Sequence, residues 1–110
     1  MKNVINLTPH EVTILGGETP RVIAASGQVA RVSMTSLPAG SFDGIPLVEC
    51  QAGEVTGLPS PAPETLYLTS ALVRLAVPTR CDVVSPADFV RDGNGNIKGC
   101  KALERNGGGL

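Results

Sequence analysis

Residues 65–78 read Thr65-Leu66-Tyr67-Leu68-Thr69-Ser70-Ala71-Leu72-Val73-Arg74-Leu75-Ala76-Val77-Pro78, and they favour a β-strand that runs into a short helix. The first five residues are apolar or β-branched, as in strands. Ser70 then offers a hydroxyl that can accept from the free N–H groups at a helix start. The spacing predicts a helix from Ala71 to Val77, ended by Pro78, with Arg74 pointing outward. We expect its buried side to consist of Leu72, Val73, Leu75 and Ala76.

The remainder of the chain is divided into short runs by thirteen glycines and nine prolines. Alternation or β-favouring composition predicts strands near residues 11–15, 21–24, 28–34, 45–50, 82–84, 89–91 and 97–101. Residues 92–96, Asp-Gly-Asn-Gly-Asn, predict a hairpin turn, because these residue types tolerate positive φ angles. Residues 42–44, Phe-Asp-Gly, predict a turn just before the 45–50 strand. Residues 85–88 predict a turn or a single helical turn, and the proline-rich residues 57–63 predict an extended surface loop.

These runs contain no repeated strand–helix–strand pattern, which excludes a doubly wound fold. We therefore predict one β-rich α+β domain over residues 1–105. It would be a small, mostly antiparallel sheet or a partly open barrel with one short helix. Residues 106–110, Asn-Gly-Gly-Gly-Leu, predict a flexible tail.

Composition removes several classes of function. The net charge is −1 and aromatic residues make up 3%, so neither a basic patch nor a stacking platform for nucleic acid is expected. No run is apolar and long enough for a membrane span or a signal peptide, and we expect a cytoplasmic protein. The three cysteines are widely spaced and odd in number, which predicts reduced thiols.

His10 is the only histidine in the chain. A histidine-rich metal site within one protomer is therefore impossible, and a catalytic triad would have to use this one ring. No segment carries a recognised catalytic signature. We predict a protein that is not an enzyme and needs no metal or cofactor.

Five residues are candidates for contacts to an anionic ligand: Thr8, His10, Ser70, Arg74 and Arg80. The first two lie on a turn stiffened by Pro9, Ser70 starts the helix, and the arginines supply forked donors for a carboxylate or phosphate. Each has a structural alternative. Thr8 and His10 could serve only to satisfy their turn, Ser70 could be a plain cap, and the arginines could form ion pairs with neighbouring aspartates.

Several segments resemble a family of short uncharacterised proteins from bacteriophages and prophages. The matching segments are Asn6-Leu7-Thr8-Pro9-His10, Gly57-Leu58-Pro59, Thr65-Leu66-Tyr67-Leu68-Thr69-Ser70, Arg80-Cys81-Asp82-Val83 with Pro86, and Arg91-Asp92-Gly93. The resemblance implies a phage or mobile-element origin and action inside an infected bacterium. It implies no catalytic residue.

Together these observations favour a non-catalytic accessory binding protein of phage type. Its expected role is counter-defence, either by sequestering a small nucleotide-like anion or by occupying a host protein. The alternative is a virion structural or assembly component. We expect a homo-oligomer in both cases, because small proline-marked sheets leave edges to cover and charged residues make up only 17% of the chain.

Overall fold

A nearly closed six-stranded sheet carries one short helix and a long two-stranded hairpin in the computed structural model, which describes residues 2–107. The β-rich α+β class with one short helix is confirmed. The elements in chain order are β1 (Asn3–Asn6), β2 (Val12–Ile14), β3 (Arg21–Ile23), β4 (Arg31–Phe42), β5 (Ile45–Thr56), β6 (Thr65–Leu68), α1 (Ala71–Ala76), β7 (Val83–Arg91) and β8 (Ile97–Arg105).

The main sheet has the strand order β1-β6-β7-β8-β2-β3. It is mixed: β1–β6, β6–β7 and β2–β8 are parallel pairs, whereas β2–β3 and β7–β8 are antiparallel. A parallel bridge between Asn6 and Ala25 joins the end of β1 to the chain just after β3. The two outer strands of the sheet therefore meet, and the sheet curls into a partly open barrel.

Two apolar clusters hold this body together. Inside the curled sheet, Ile23, Leu68 and Val84 are buried, and every strand of the sheet contributes at least one apolar residue to this cluster. On the outer face of β6 and β7, a second cluster packs under α1. Its buried members are Leu7, Ala30, Tyr67, Val73 and Val83. Adjacent residues of β6 point to opposite faces, so Tyr67 and Leu68 serve different clusters.

Helix α1 forms where the sequence predicts it, but it is rotated relative to the prediction. Arg74, expected to point outward, is buried with 7% of its surface exposed. Leu72 and Leu75, expected to be buried, are 56% and 61% exposed. The prediction was wrong because α1 has only six residues and buries just Val73 and Arg74. The guanidinium of Arg74 is satisfied by hydrogen bonds that the sequence could not reveal.

The 92–96 hairpin is confirmed, and Asp92 organises it. The Asp92 carboxylate accepts hydrogen bonds from the backbone N–H groups of Asn94 and Asn96 at 2.8 and 3.1 Å. The turn expected at residues 85–88 is absent, because these residues lie within β7 and pair with β8. Residues predicted as two short strands therefore form one long one.

Asn106, assigned from composition to the flexible tail, is buried and 8% exposed. Residues 108–110 of that expected tail lie outside the described residues. Residues 57–62 connect β5 to β6 without regular structure, as their prolines predict.

The β4–β5 hairpin extends far beyond the body. Its strands have twelve residues each, and only Val32 and Val55, at its base, pack against the body's apolar cluster. Residues 34–52, which we call the arm, are all exposed. The strands turn at Asp43 and Gly44, whose φ angles of 51° and 76° suit a two-residue hairpin turn. The strands predicted near residues 28–34 and 45–50 overlap β4 and β5, but the sequence did not predict that β4 continues to Phe42 or that β5 continues to Thr56.

Candidate functional site

A groove of about 230 Å³ lies where the base of β4 meets the start of α1. Its lining residues are Pro9, Val29, Ala30, Arg31, Val32, Ser70, Leu72 and Val73. It therefore joins the Asn6–His10 turn to the helix start, the two regions that the sequence singled out for ligand contacts. Of the five predicted residues, Ser70 lines the groove, and Thr8 and His10 flank its wall residue Pro9.

The Asn6–His10 turn is fixed by Asn6, a residue that sequence reasoning missed. Asn6 is 1% exposed, and its side-chain amide donates to the carbonyl oxygens of His10 at 2.9 Å and Ile23 at 3.0 Å. Its Oδ1 accepts from the Thr8 backbone N–H at 2.9 Å. Asn6 thus uses both donors and its acceptor to tie the turn to β3.

Thr8 is also occupied within this turn. Its hydroxyl oxygen lies 2.6 Å from Asn6 Oδ1 and 2.8 Å from the His10 carbonyl oxygen, and its one proton serves these two acceptors. The His10 ring is different: it is exposed, and no hydrogen bond to the imidazole is found among residues 2–107. The turn therefore presents a free imidazole on a rigid backbone.

Ser70 caps α1 as expected. Its Oγ accepts from the Val73 N–H at 3.3 Å, which leaves the hydroxyl proton free to donate toward the groove. Thr69 beside it is fully buried, and its hydroxyl lies 3.2 Å from the Val84 carbonyl oxygen. The helix start is thus fastened to β7.

Arg74 does not reach the groove. Its Nε donates to Ser85 Oγ at 2.8 Å and its Nη1 to Asn106 Oδ1 at 3.1 Å, and Nη2 lies 3.6 Å from Glu104 Oε1. The Asn106 amide in turn contacts the carbonyl oxygens of Arg74, Val77 and Arg80 at 2.9–3.2 Å. These contacts join the end of β8 to the end of α1.

Arg80 is likewise engaged within the protein. Its guanidinium forms a bidentate pair with Asp82 at 2.8 and 2.9 Å and donates to the Pro59 carbonyl at 3.0 Å. It also lies 6.0 Å from the centre of the Tyr67 ring. The hydrogen bond from Arg80 lowers the pKa of Asp82, against the opposing effect of burial, and the same bond raises the pKa of Arg80. Arg80 therefore holds the 57–63 loop against the sheet.

Arg31 is the cationic residue that does line the groove. It is exposed at the first position of β4, and no ion pair to it is found within residues 2–107. The sequence placed it only within the predicted 28–34 strand. Nothing in the local pattern could bring it next to Ser70, because the two residues are 39 positions apart and meet only through the tertiary fold.

A second groove of about 260 Å³ lies between β2, β7 and β8. Its walls combine apolar side chains, including Phe89 and Ile97, with Glu11 and Lys98 of opposite charge. None of the predicted ligand residues lines it. The unpaired cation and the free hydroxyl proton make the first groove the better candidate for an anion.

Comparisons of the chain with models of protein families, with curated proteins and with solved structures find no match. Within residues 2–107, no three His, Cys, Asp or Glu side chains cluster in a way that could hold a metal ion. The same residues include no helix long and apolar enough to cross a membrane.

Proposed function

We propose that this chain is a non-catalytic binding protein that holds a small anionic ligand in the groove between β4 and α1. The observation that carries the proposal is the placement of the unpaired Arg31 guanidinium beside apolar walls and the Ser70 hydroxyl. A guanidinium forms charge-assisted hydrogen bonds with phosphate or carboxylate, and the apolar walls suit a base or another flat group.

The size of the groove narrows the ligand class. At about 230 Å³ it lies below the roughly 300–1,000 Å³ of sites for drug-sized molecules. A phosphate-bearing group with a small apolar part would fit the groove, and a larger nucleotide would project from it. Following the resemblance to phage proteins, we propose that the ligand is a nucleotide-like signal sequestered in the cytoplasm of an infected bacterium.

Ligand titration with defined nucleotides tests this proposal. Cyclic dinucleotides and ADP-ribose are titrated into the protein by calorimetry, and we expect one class to bind. Arg31→Ala should weaken that binding by about 1.5–3 kcal/mol, because a hydrogen bond to a charged group is lost. Arg21→Ala is the matched control, since Arg21 is an exposed strand arginine outside the groove.

Variants of His10 and Arg80 distinguish a residue that contributes to binding from one that supports the fold. His10→Ala should weaken binding without changing the melting temperature, because the ring makes no hydrogen bond within the described fold. Arg80→Ala should instead destabilise the protein, because Arg80 pairs with Asp82. Equal affinity of wild type and Arg31→Ala, or no binding by either nucleotide class, would contradict the proposal.

A second candidate function is a virion or assembly component, and the exposed arm favours it. Residues 34–52 are exposed and belong to neither apolar cluster of the body, which leaves them available for contact with a neighbouring subunit. Mass spectrometry of purified phage particles distinguishes the two functions. Stoichiometric amounts of this chain in the particle would favour the assembly role, and its absence would favour the binding protein.

A further inference from the structure

Two of the asparagines in the chain are followed by glycine: Asn94 precedes Gly95, and Asn106 precedes Gly107. An asparagine side chain can be attacked at its Cγ atom by the backbone nitrogen of the next residue. Glycine makes this attack easiest, because it has no side chain to shield its nitrogen. The sequence alone therefore marks both pairs as reactive, and only the structure distinguishes them.

Asn94 lies in the exposed 92–96 hairpin turn, where its side chain is free. No hydrogen bond to the side-chain amide of Asn94 is found among residues 2–107. The backbone N–H of Gly95 donates to the Asp92 carbonyl oxygen at 3.0 Å, so this bond must open before the nitrogen can react. Exposed turns are among the regions of a protein that open at the lowest free energy. Asn94 can therefore react while the rest of the protein stays folded.

Asn106 is buried, and its side-chain amide is held by polar contacts at both of its polar atoms. Its side-chain nitrogen lies 2.9–3.2 Å from the carbonyl oxygens of Arg74, Val77 and Arg80. Its Oδ1 accepts from the Arg74 guanidinium at 3.1 Å, and only 8% of the residue is exposed. The side chain cannot turn toward the nitrogen of Gly107 without losing these bonds. The reaction at Asn106 therefore requires the end of β8 to separate from α1.

We propose that Asn94 is a site of spontaneous covalent modification in the folded protein and that the fold protects Asn106 from the same reaction. The Gly95 nitrogen forms a bond to Asn94 Cγ, and its proton passes through solvent to the side-chain nitrogen, which leaves as ammonia. The product of this step is a cyclic imide. One water molecule then opens the ring at either of its two carbonyl groups, which gives aspartate or isoaspartate at position 94.

The same reaction has different consequences at the two positions. At Asn94 the product adds a negative charge beside Asp92, whose carboxylate accepts from the backbone N–H groups of Asn94 and Asn96. Isoaspartate also adds one carbon atom to the backbone between these two N–H groups, which alters the turn. At Asn106 the product replaces the side-chain N–H donors by a carboxylate oxygen that faces three carbonyl oxygens. Protection of Asn106 therefore preserves the contact between β8 and α1, whereas modification of Asn94 changes a surface turn.

Peptide mass mapping after incubation in mildly alkaline buffer tests both parts of the proposal. Trypsin cleaves after Arg91, Lys98 and Arg105, so Asn94 and Asn106 fall in separate peptides. In the folded protein we expect deamidation of Asn94 to be faster than that of Asn106 by about tenfold or more. Each tenfold of protection corresponds to about 1.4 kcal/mol of opening free energy. In concentrated urea the two rates should become similar, because neither side chain is then held.

Asn96 and one variant serve as controls. Asn96 is exposed in the same turn but is followed by Ile97, whose branched side chain shields the backbone nitrogen, so Asn96 should stay unmodified. Asn94→Gln should fold like the wild type and should lose the early mass gain, because glutamine has to form a larger ring and reacts more slowly.

Three results would overturn the proposal. If the folded protein deamidates Asn106 as fast as Asn94, the fold does not protect Asn106. If Asn94 reacts no faster than Asn96, the turn does not make Asn94 reactive. If the early mass gain persists in Asn94→Gln, another residue is the modification site.

Discussion

Single polar residues, more than the apolar ones, fix the shape of this molecule at its turns. Asn6 is the clearest case, since one buried amide joins its own turn to β3 through the carbonyl oxygens of His10 and Ile23. The side chain of Asn6 therefore holds the Asn6–His10 turn in place, although His10 is the more conspicuous residue in the sequence. The His10 ring is exposed and takes no part in these contacts.

Asn6→Ala should lower the free energy of unfolding by about 3 kcal/mol, because buried groups lose their hydrogen-bond partners. Urea denaturation measures this change. His10→Ala in the same turn is the control and should change stability by less than about 0.5 kcal/mol. A loss of similar size in both variants would mean that the ring also supports the fold.

The pair of Arg80 and Asp82 should give this protein a defined acid sensitivity. The folded-state pKa of Asp82 is lowered, chiefly by the Arg80 hydrogen bond, so the unfolded state binds a proton more readily. The stabilisation is complete above the unfolded pKa of about 3.9 and is lost as the pH falls through the lower folded value. The pKa of Arg80 is raised from an already high value, so its own titration lies outside this range.

Between pH 5 and pH 3, Asp82→Asn should therefore lose less stability than the wild type. Urea midpoints of wild type and variant are compared across this range, and the difference between them should shrink as the pH falls. Glu18→Gln, a change in the exposed loop before β3, serves as the control and should follow the wild-type profile. A constant difference between wild type and Asp82→Asn would exclude this linkage.

Among the elements, α1 depends on the strands around it more than on its own sequence. Six residues are too few for a stable isolated helix, so tertiary contacts must hold it. At its C-terminal end these contacts come from Asn106, which reaches the carbonyl oxygens of Arg74, Val77 and Arg80 from the end of β8. The last strand and the only helix of the described chain are thus stabilised as one unit.

Asn106→Ala should destabilise the protein by about 2 kcal/mol, because the carbonyl groups at the helix end and the Arg74 guanidinium lose a partner. Thermal and urea unfolding report the change. The matched control is Asn94→Ala in the exposed 92–96 hairpin, which should leave stability nearly unchanged. Wild-type stability of Asn106→Ala would mean that water satisfies these groups equally well.

The whole molecule consists of a body that contains both apolar clusters and an arm that contributes to neither. The arm also explains the extended shape: the radius of gyration is 16.4 Å, against about 13 Å for a compact chain of this length. Ser33 and Gly53 lie next to each other at the arm's base, since a Cβ added at Gly53 would lie 3.3 Å from the Ser33 carbonyl oxygen.

Replacing residues 34–52 by Asn-Gly should therefore close the base with a two-residue turn and leave the body folded. We expect far-UV circular dichroism to show a folded β protein whose melting temperature does not depend on concentration. A homo-oligomeric wild type, as the sequence predicts, would instead melt at higher temperature as its concentration rises, because association stabilises the folded state. An unfolded deletion variant would show that the arm supports its own body.

Local sequence alone determined the features that depend on neighbouring residues. The 92–96 and 43–44 turns follow from residues that tolerate positive φ, and α1 starts at a serine cap and ends before a proline. The exclusion of a metal site built from several histidines of one protomer follows from the single histidine. These conclusions need no tertiary information, because each concerns a few adjacent residues or the composition of the whole chain.

Tertiary structure decided everything that depends on distant residues. It rotated α1 so that Arg74 is buried, because Ser85 and Asn106 supply polar partners that no helical periodicity can indicate. It brought Arg31 beside Ser70 and made Arg80 a support for the 57–63 loop. It also paired β4 with β5 as an arm that leaves the body, since only Val32 and Val55 at its base pack against the body's apolar cluster.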